Sequence, residues 1–513
     1  MSELIRQIRR SALDHPEQPA ILCDARVVTH RRFGELTDRV ADGLLADGIK
    51  TGDRVGLYFP NCPEFALIYV GILKAGGVVV PLNLLINQRE IAYILNDAGV
   101  GRLLAHHSLS DRVDDLCRHV SSLERIHQVS GIEAFIDELM KGSAARTAVP
   151  KPADGQALEL AVILYTSGTT GFPKGAMLTH ANLAANVRSV HLAMRWRSGR
   201  DRVLVVLPMF HAFAATVGML TPLSNGCAMI PVPRFEPEAV AEAIHRRQAT
   251  LFLGVPSMYG VMLRLREEYI PLLASLRFGI VGGAAMPVSL LRQFEDKFGV
   301  RLYEGDGPTE CSPVTCVNPI DGVTKPGTVG LPVPCVEMKI VDESGQEVPT
   351  GQVGEIAVRG PNVMKGYWNQ PQATAEVFLD GWFLTGDLGT CDVDGYFSIV
   401  DRKKDLIIVN GMNVYPRMIE EVLHDFPGMR EVAVVGEANA RHGEVPVAFV
   451  VIENHENTSE RDLRDYCRGI LGRHQIPKRF VFLPELPKNA AGKVLKRELC
   501  RLGEVERGVR GLE

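Results

Sequence analysis

The sequence predicts an α/β protein with parallel sheet covered on both faces, then a small antiparallel barrel or ribbon, then a compact α+β tail. Three observations carry this. Between about residues 50 and 310, continuous apolar runs alternate with stretches at helical spacing such as "LLRQFEDKF". The runs "RVGLYF", "GGVVVPL", "RLLAH", "AVILYT", "RVLVVLP", "CAMIPV", "TLFLGV" and "FGIVGG" lack polar alternation, the mark of parallel strands buried on both faces. From 327 to 400 glycine and proline turns separate shorter runs ("VEMKIVD", "GEIAVRG", "GYFSIVD"), as in a small antiparallel unit. After the charged stretch "DRKKD" (Asp401 to Asp405) the texture changes again.

In this tail Pro416 suits the first turn of a helix whose apolar positions Ile419, Val422, Leu423 and Phe426 share one face. Strands "EVAVVG" and "VAFVVI" follow. Ser459 and Asp462 form a capping-box pattern ahead of a helix carrying Leu463, Tyr466, Cys467, Ile470 and Leu471, after which comes "RFVFLPELP". A charged linker of this kind lets two domains move relative to each other.

The 513 residues suffice for three or four units of roughly 150 residues each. A 46% hydrophobic and 23% charged content with net charge -5 is that of a globular protein, with no overall pull towards nucleic acid or anionic membrane. No secretory leader is expected from "MSELIRQIRRSALDHPEQPAILCD". The longest apolar stretches, "FALIYVGIL" and "AGGVVVPLNLLI", are split by Lys74 and fall short of a spanning helix. A cytoplasmic protein is expected; peripheral membrane contact and a homodimer stay open. The ten cysteines contain no CxxC pair, and Cys311 and Cys316 have no histidine at ligand spacing, so free thiols in a reducing compartment are expected.

Residues Tyr165 to His180 read "YTSGTTGFPKGAMLTH". Thr166, Ser167, Thr169 and Thr170 offer hydroxyls, Gly168, Gly171 and Gly175 let N–H groups turn inward, and Lys174 adds a point charge. The stretch follows a buried strand and is expected to lead into a helix starting near Thr179, the setting of an anion site. It lacks GxxxxGK[ST]. An ordinary polar turn is the competing reading.

Companions lie elsewhere. "GDGPTE" ends in Glu310, a solvated charge or a metal ligand; "GWFLTGDLG" sets Asp387 between glycines, a turn cap or a ribose acceptor; "LPKNAAGKVLKREL" holds Lys493 on a small-residue turn. Each is unspecific alone. Together, "YTSGTTGFPKG", "LPMFHAF", "VGGAAMP", "GDGPTE", "GWFLTGD", "DRKKDLIIVNGMNVYPRMIEE" and "PKNAAGK" resemble, in sequence and order, the signature segments of the adenylate-forming superfamily. This superfamily comprises acyl-CoA synthetases, peptide-synthetase adenylation domains and firefly-type luciferases. The resemblance covers nearly the whole chain and is strongest to bacterial medium- and long-chain fatty-acyl-CoA ligases.

The resemblance implies an N-terminal domain over 1–403, made of two doubly wound sheets with a small β-barrel near 327–400. It also implies a mobile α+β domain over 404–513 carrying the catalytic lysine. The implied reaction joins a carboxylic acid to ATP, giving acyl-adenylate and pyrophosphate, then transfers the acyl group to coenzyme A with release of AMP. By resemblance, Thr166 to Lys174 hold the β- and γ-phosphates, Glu310 helps bind Mg2+, and Lys493 reaches the carboxylate and α-phosphate. Preorganised charge of this kind contributes on the order of 3–4 kcal/mol per group. Thr309 matches the position beside the α-phosphate, and Asp387 and Arg402 match the ribose positions. Val281, Gly282, Gly283 and Ala284, with Asp306 and Gly307, match the segments lining adenine and the acyl channel. Many relatives have an aromatic residue where this chain has Asp306, which cannot stack on adenine but can accept from its amine.

His211 in "LPMFHAF" matches the acyl entrance, with a gating role set against simple packing. "FHAFAA" holds no aspartate for an α-ammonium group, which disfavours amino-acid activation. Lys404 matches the hinge of a domain rotation, and Gly411 the pantetheine path, where a side chain would obstruct. The leading expectation is a fatty-acyl-CoA ligase. Its rivals are an aryl-CoA ligase, an acyl-AMP ligase loading a carrier protein, and a silent nucleotide-binding protein on the same fold.

Overall fold

The computed structural model describes residues 2–23, 26–116, 118–141, 159–166, 173–439, 441–453, 458–488 and 494–510. The buried apolar runs form two large sheets. In the first, six strands lie in the order Arg125–Val129, Arg102–His106, Arg54–Tyr58, Val78–Pro81, Leu160–Thr166 and Lys174–Thr179. The first five are parallel and the last is antiparallel. The second has a parallel centre ordered Leu302–Asp306, Phe278–Val281, Leu251–Gly254, Arg202–Val205, Ala228–Pro231 and Pro19–Cys23. Short antiparallel strands extend both of its edges.

Both sheets are doubly wound. The chain leaves Arg54–Tyr58 for a neighbour on one side, Val78–Pro81, then returns to Arg102–His106 on the other. It repeats this from Arg202–Val205 to Ala228–Pro231 and back to Leu251–Gly254. Such reversals open a crevice beyond the carboxyl ends of the strands, where ligands of open α/β sheets bind.

One core joins the two sheets, and the helix Pro63–Ala75 runs through it with every residue but Lys74 buried. The "FALIYVGIL" run is therefore a core helix, apolar all round because protein surrounds it. Its Gly71 lies against Val40, where a Cβ would come within 2.3 Å of Cγ1. Among the described residues no helix is long and apolar enough to cross a membrane.

The stretch from 337 to 402 forms an antiparallel sheet of Glu337–Val341, Gly354–Arg359, Trp382–Cys391 and Phe378–Leu379, with Phe397–Arg402 also on Trp382–Cys391. The tail has its own sheet, in which Met429–Asn439 and Gly443–Ile452 pair antiparallel and Arg479–Phe482 joins in parallel. The helix Pro416–His424 covers it with Ile419 and Leu423 buried. Glu460–Arg468 starts at the capping box of Ser459 and Asp462. Ile470 departs from the expected apolar face: the helix ends at Arg468 and Ile470 is 59% exposed.

Candidate active site

The carboxyl ends of both sheets are tied together by Asn61, just beyond the strand Arg54–Tyr58. Its buried amide donates to the carbonyls of Val205, Leu207 and Val232 at 3.2, 2.9 and 3.2 Å, and its oxygen accepts from Met209 N at 2.8 Å. Asn61 thus fixes the exit of the strand Arg202–Val205, from which "LPMFHAF" departs. A polar residue at a strand exit, "PNCPEF", was the only trace of this in the sequence.

Ser167, Gly168, Thr169, Thr170 and Gly171, expected to form a phosphate loop, lie outside the described residues. Thr166 ends the strand before them and Lys174 begins the strand after them, in register with each other. The helix His180–Ala193 starts where expected, capped by Thr179; the antiparallel strand "KGAMLT" that comes between was not expected. A side chain at Gly175 would strike Ile163 and the Tyr165 ring, so glycine is required for this close pairing.

Residues 362–368 join this strand to the turn carrying Glu310. On one side Met177 N donates to Gly366 O and Trp368 N to Gly175 O, at 2.9 and 2.7 Å. On the other, Met364 N donates to Glu310 O at 2.7 Å and Asn362 Nδ2 to Cys311 O at 2.9 Å. Tyr367, absent from the sequence expectations, lies between. Its hydroxyl donates to Glu310 Oε1 at 2.8 Å, and Lys174 Nζ lies 5.2 Å from its ring centre. Thr309 opens the 3-10 turn Thr309–Cys311. Gly307 lets the turn close, since a Cβ there would fall 1.6 Å from Pro313 O.

Asp387 sits within the strand Trp382–Cys391, opposite Arg402 on Phe397–Arg402. This corrects the turn reading: Gly386, at φ +74°, gives a local irregularity that resembles a turn in sequence. Arg402 Nε lies 2.7 Å from Asp387 Oδ1. Burial opposes the guanidinium charge, but Asp387, Asp306, Asp405 and Glu310 around it raise its pKa overall. Asp306 is half-buried at the end of Leu302–Asp306, and its backbone oxygen accepts from Thr315 N and Oγ1. Thus Lys174, Glu310, Asp306, Asp387 and Arg402, scattered in sequence, are linked in one region.

Gly282 packs against Phe213, where a Cβ would come within 3.2 Å of the ring, and brings "LPMFHAF" to the strand end. Gly283 and Ala284 follow, both exposed. Val281 is fully buried in the cluster of Phe252, Tyr259 and Leu302, whereas its neighbour Ile280 belongs to the inter-sheet core beside which Phe213 packs. Side chains of a strand alternate faces, so the expected acyl contact of Val281 does not fit its side chain. His211 is exposed, which removes the packing reading for it. After it the chain forms a π-helix, Ala214–Leu220, a form frequent at functional sites.

Glu304 was also missed, although it interrupts the apolar run "RLYEGD". It is 3% exposed, Oε1 accepts from Met286 N at 3.0 Å, and Oε2 has no partner among the described residues. Burial pushes its carboxyl up to about 7.

Lys404 is exposed in the short helix Lys403–Asp405. Just before it, Asp401 Oδ2 accepts from Arg417 N at 2.9 Å, so a side chain of the preceding sheet caps the helix Pro416–His424. Gly411 is at the tip of a hairpin between Ile407–Val409 and Met412–Val414. Asn410 and Gly411 both have positive φ there, and a Cβ on Gly411 would meet open space. The turn accounts for this glycine; no obstruction is present in this arrangement. Lys493 lies outside the described residues. Its flanks are held, with Lys488 bridged to Val494 and Lys496 Nζ 2.8 Å from Glu420 Oε1.

Glu310 offers one carboxylate, and no group of three or more His, Cys, Asp or Glu among the described residues forms a metal cage. That donor set fits Mg2+, which is commonly held by one or two carboxylates together with substrate phosphates.

Comparison with known proteins agrees with this geometry. Residues 8–368 match the family model of AMP-binding enzymes, and 418–493 that of the AMP-binding enzyme C-terminal domain. A long-chain-fatty-acid–CoA ligase of Bacillus subtilis is 35% identical, over 95% of this chain and 92% of its own. A feruloyl-CoA synthase of Amycolatopsis is 36% identical, over 96% and 97%. ATP-bound MatB from Rhodopseudomonas palustris superposes with a TM-score of 0.89 at 33% identity, covering 98% of this chain and 99% of that one. Its apo form covers the same shares with a TM-score of 0.76. The overall arrangement here is therefore nearer to the ATP-bound form. The chain belongs to the adenylate-forming family of AMP-binding enzymes, and it is an AMP-forming acid–thiol ligase.

Proposed function

We propose that the protein activates a medium- to long-chain fatty acid and passes it to coenzyme A. The observation that carries the nucleotide half is the convergence of Lys174, Glu310, Asp387 and Arg402 through the hydrogen-bonded segment 362–368 and the paired strands carrying the last two. In the first half-reaction a carboxylate oxygen attacks the α-phosphorus, the bond to the β-phosphate breaks, and pyrophosphate leaves. Two anions must approach each other, so positioning and charge compensation carry the catalysis.

Lys174 and the loop from Thr166 receive the β- and γ-phosphates, Thr309 lies beside the α-phosphate, and Lys493 bridges carboxylate and α-phosphate. Asp387, oriented by Arg402, accepts from the ribose hydroxyls, and Asp306 and Gly307 border the adenine. Glu310 would hold Mg2+, which supplies positive charge to the phosphates when bound. In the second half-reaction the coenzyme A sulfur attacks the acyl carbon, the bond to AMP breaks, and the thiol proton is lost. For this step the unit from 404 onward rotates about Lys404, withdrawing Lys493 and bringing the hairpin tip at Gly411 to the site.

The apolar π-helical segment beyond His211 and Phe213, with Gly282 opposite, suits an alkyl chain. The 35% identity to a long-chain-fatty-acid–CoA ligase supports the same class. An aryl acid is the second reading, favoured by the equal likeness to a feruloyl-CoA synthase. AMP release with ATP, Mg2+ and coenzyme A, measured on straight-chain acids from butanoate to octadecanoate plus benzoate and cinnamate, separates them. A maximum from octanoate upward is expected, and activity on aryl acids alone would replace this reading with the second.

A further inference from the structure

We propose that Tyr367 is a positioning residue that holds the opposite charges of Lys174 and Glu310 apart and satisfies each separately, keeping the lysine available to phosphate and the carboxylate to a divalent cation. The inference rests on the ATP-binding reading of the site and adds a residue and a task to it. The phenol is 8% exposed and its two polar relationships are of different kinds. Its hydroxyl donates to Glu310 Oε1 at 2.8 Å, while its ring lies under the ammonium of Lys174, 5.2 Å from Nζ to the ring centre. A ring face attracts a cation, and a hydroxyl donor attracts an anion.

The two charges have strong reason to collapse on each other when no nucleotide is present, since Coulomb attraction rises as water is excluded. Yet no ion pair joins Lys174 to Glu310 among the described residues, although Arg402 pairs with Asp387 close by. Tyr367 is built rigidly enough to keep them apart. Its backbone forms an antiparallel bridge with Ala176, next to Gly175 and Lys174, and its own amide donates to Thr374 Oγ1 at 2.9 Å. Met364, three residues earlier, bonds to the backbone of Glu310 itself. The same short segment therefore sets the positions of both charged residues and supplies the side chain between them. A hydrogen bond to one carboxylate oxygen also orients the group, and outer-shell partners of this type commonly affect metal affinity on the order of tenfold or more.

Two variants separate the two tasks. Tyr367→Phe keeps the ring under Lys174 and removes the donor to Glu310; Tyr367→Leu removes both. The full-length protein is titrated with Mn2+ in the presence of α,β-methylene-ATP, which cannot be cleaved at the reacting bond, and bound Mn2+ is read by electron paramagnetic resonance. Binding of the same nucleotide in EDTA is read by calorimetry. Tyr367→Phe is expected to weaken Mn2+ on the order of tenfold with metal-free nucleotide affinity unchanged; Tyr367→Leu is expected to weaken both. In a Glu310→Gln background Tyr367→Phe should add no further loss of Mn2+ affinity. Wild-type Mn2+ affinity in Tyr367→Phe, or the same loss with and without Glu310, overturns the proposal. Absence of nucleotide binding by the wild-type protein overturns the ATP reading itself, a result independent of the Tyr367 variants, and removes the proposal with it.

Discussion

Asp387 and Arg402 face each other in register across two antiparallel strands, with the guanidinium Nε 2.7 Å from a carboxylate oxygen of a residue only 6% exposed. The arginine thereby fixes which way the carboxylate turns. Hydrogen bonds to charged groups contribute about 1.5–3 kcal/mol, so Asp387→Asn should weaken ATP about tenfold or more; it also takes the counter-charge from the half-buried Arg402, so the melting temperature should fall as well. Calorimetric titration with ATP checks this, and unchanged affinity would overturn the ribose role proposed for Asp387.

Asn61 joins the two sheets through four backbone groups. Asn61→Ala leaves the carbonyls of Leu207 and Val232 and the amide of Met209 without this partner, while Val205 O keeps its bond from Val232 N; the cost is about 1–3 kcal/mol for each group that water cannot reach. Because those groups border "LPMFHAF", the proposed acyl entrance, and not Asp387 and Arg402, KM for the acid should rise while KM for ATP holds. A parallel rise in both would show a general loss of structure instead.

Glu304 gives the stability a pH dependence. Its folded carboxyl, pushed up to about 7 by burial, binds a proton that the unfolded chain releases near the ordinary value of 4.5. Between those values the folded state holds more protons, so stability falls as pH rises and levels off above 7, a loss on the order of 3 kcal/mol. Glu304→Gln removes the titrating group and keeps an acceptor for Met286 N. The variant should gain stability over the wild type at pH 8 and lose that advantage by pH 5. Urea denaturation across this range tests it, and a pH-independent difference would contradict it.

Asp401, on the strand Phe397–Arg402, caps the helix Pro416–His424. Losing a cap costs about 1 kcal/mol, and under the proposed rotation about Lys404 that cost would fall on one arrangement only. Asp401→Ala should therefore slow adenylation more than thioester formation from supplied acyl-AMP. Single-turnover rates of the two half-reactions give the comparison; equal slowing would show that the cap does not distinguish the arrangements.

The sheet strands were legible because parallel strands buried on both faces leave unbroken apolar runs, as "VVVP" and "LFLG" do with every residue buried. Lys174–Thr179 was not, because its last residue doubles as a helix cap and the preceding glycines read as a loop. Asp387 read as a turn residue because Gly386 with positive φ interrupts a strand. The charged members of the site were legible through motif order. Asn61 and Tyr367 were not, since their partners lie 144 and 57 residues away and nothing local marks the pairing. Glu304 left a visible signal, one carboxylate in an apolar run, but only the fold tells that it is buried.

Formation of an acyl-adenylate is the central claim, and acid-dependent exchange of labelled pyrophosphate into ATP without coenzyme A tests it most directly. Exchange that requires the acid and Mg2+, is greatest with acids from octanoate upward and disappears in Lys493→Ala is the predicted result. No exchange with any carboxylic acid, despite tight ATP binding, would contradict it and leave a nucleotide-binding protein without the chemistry.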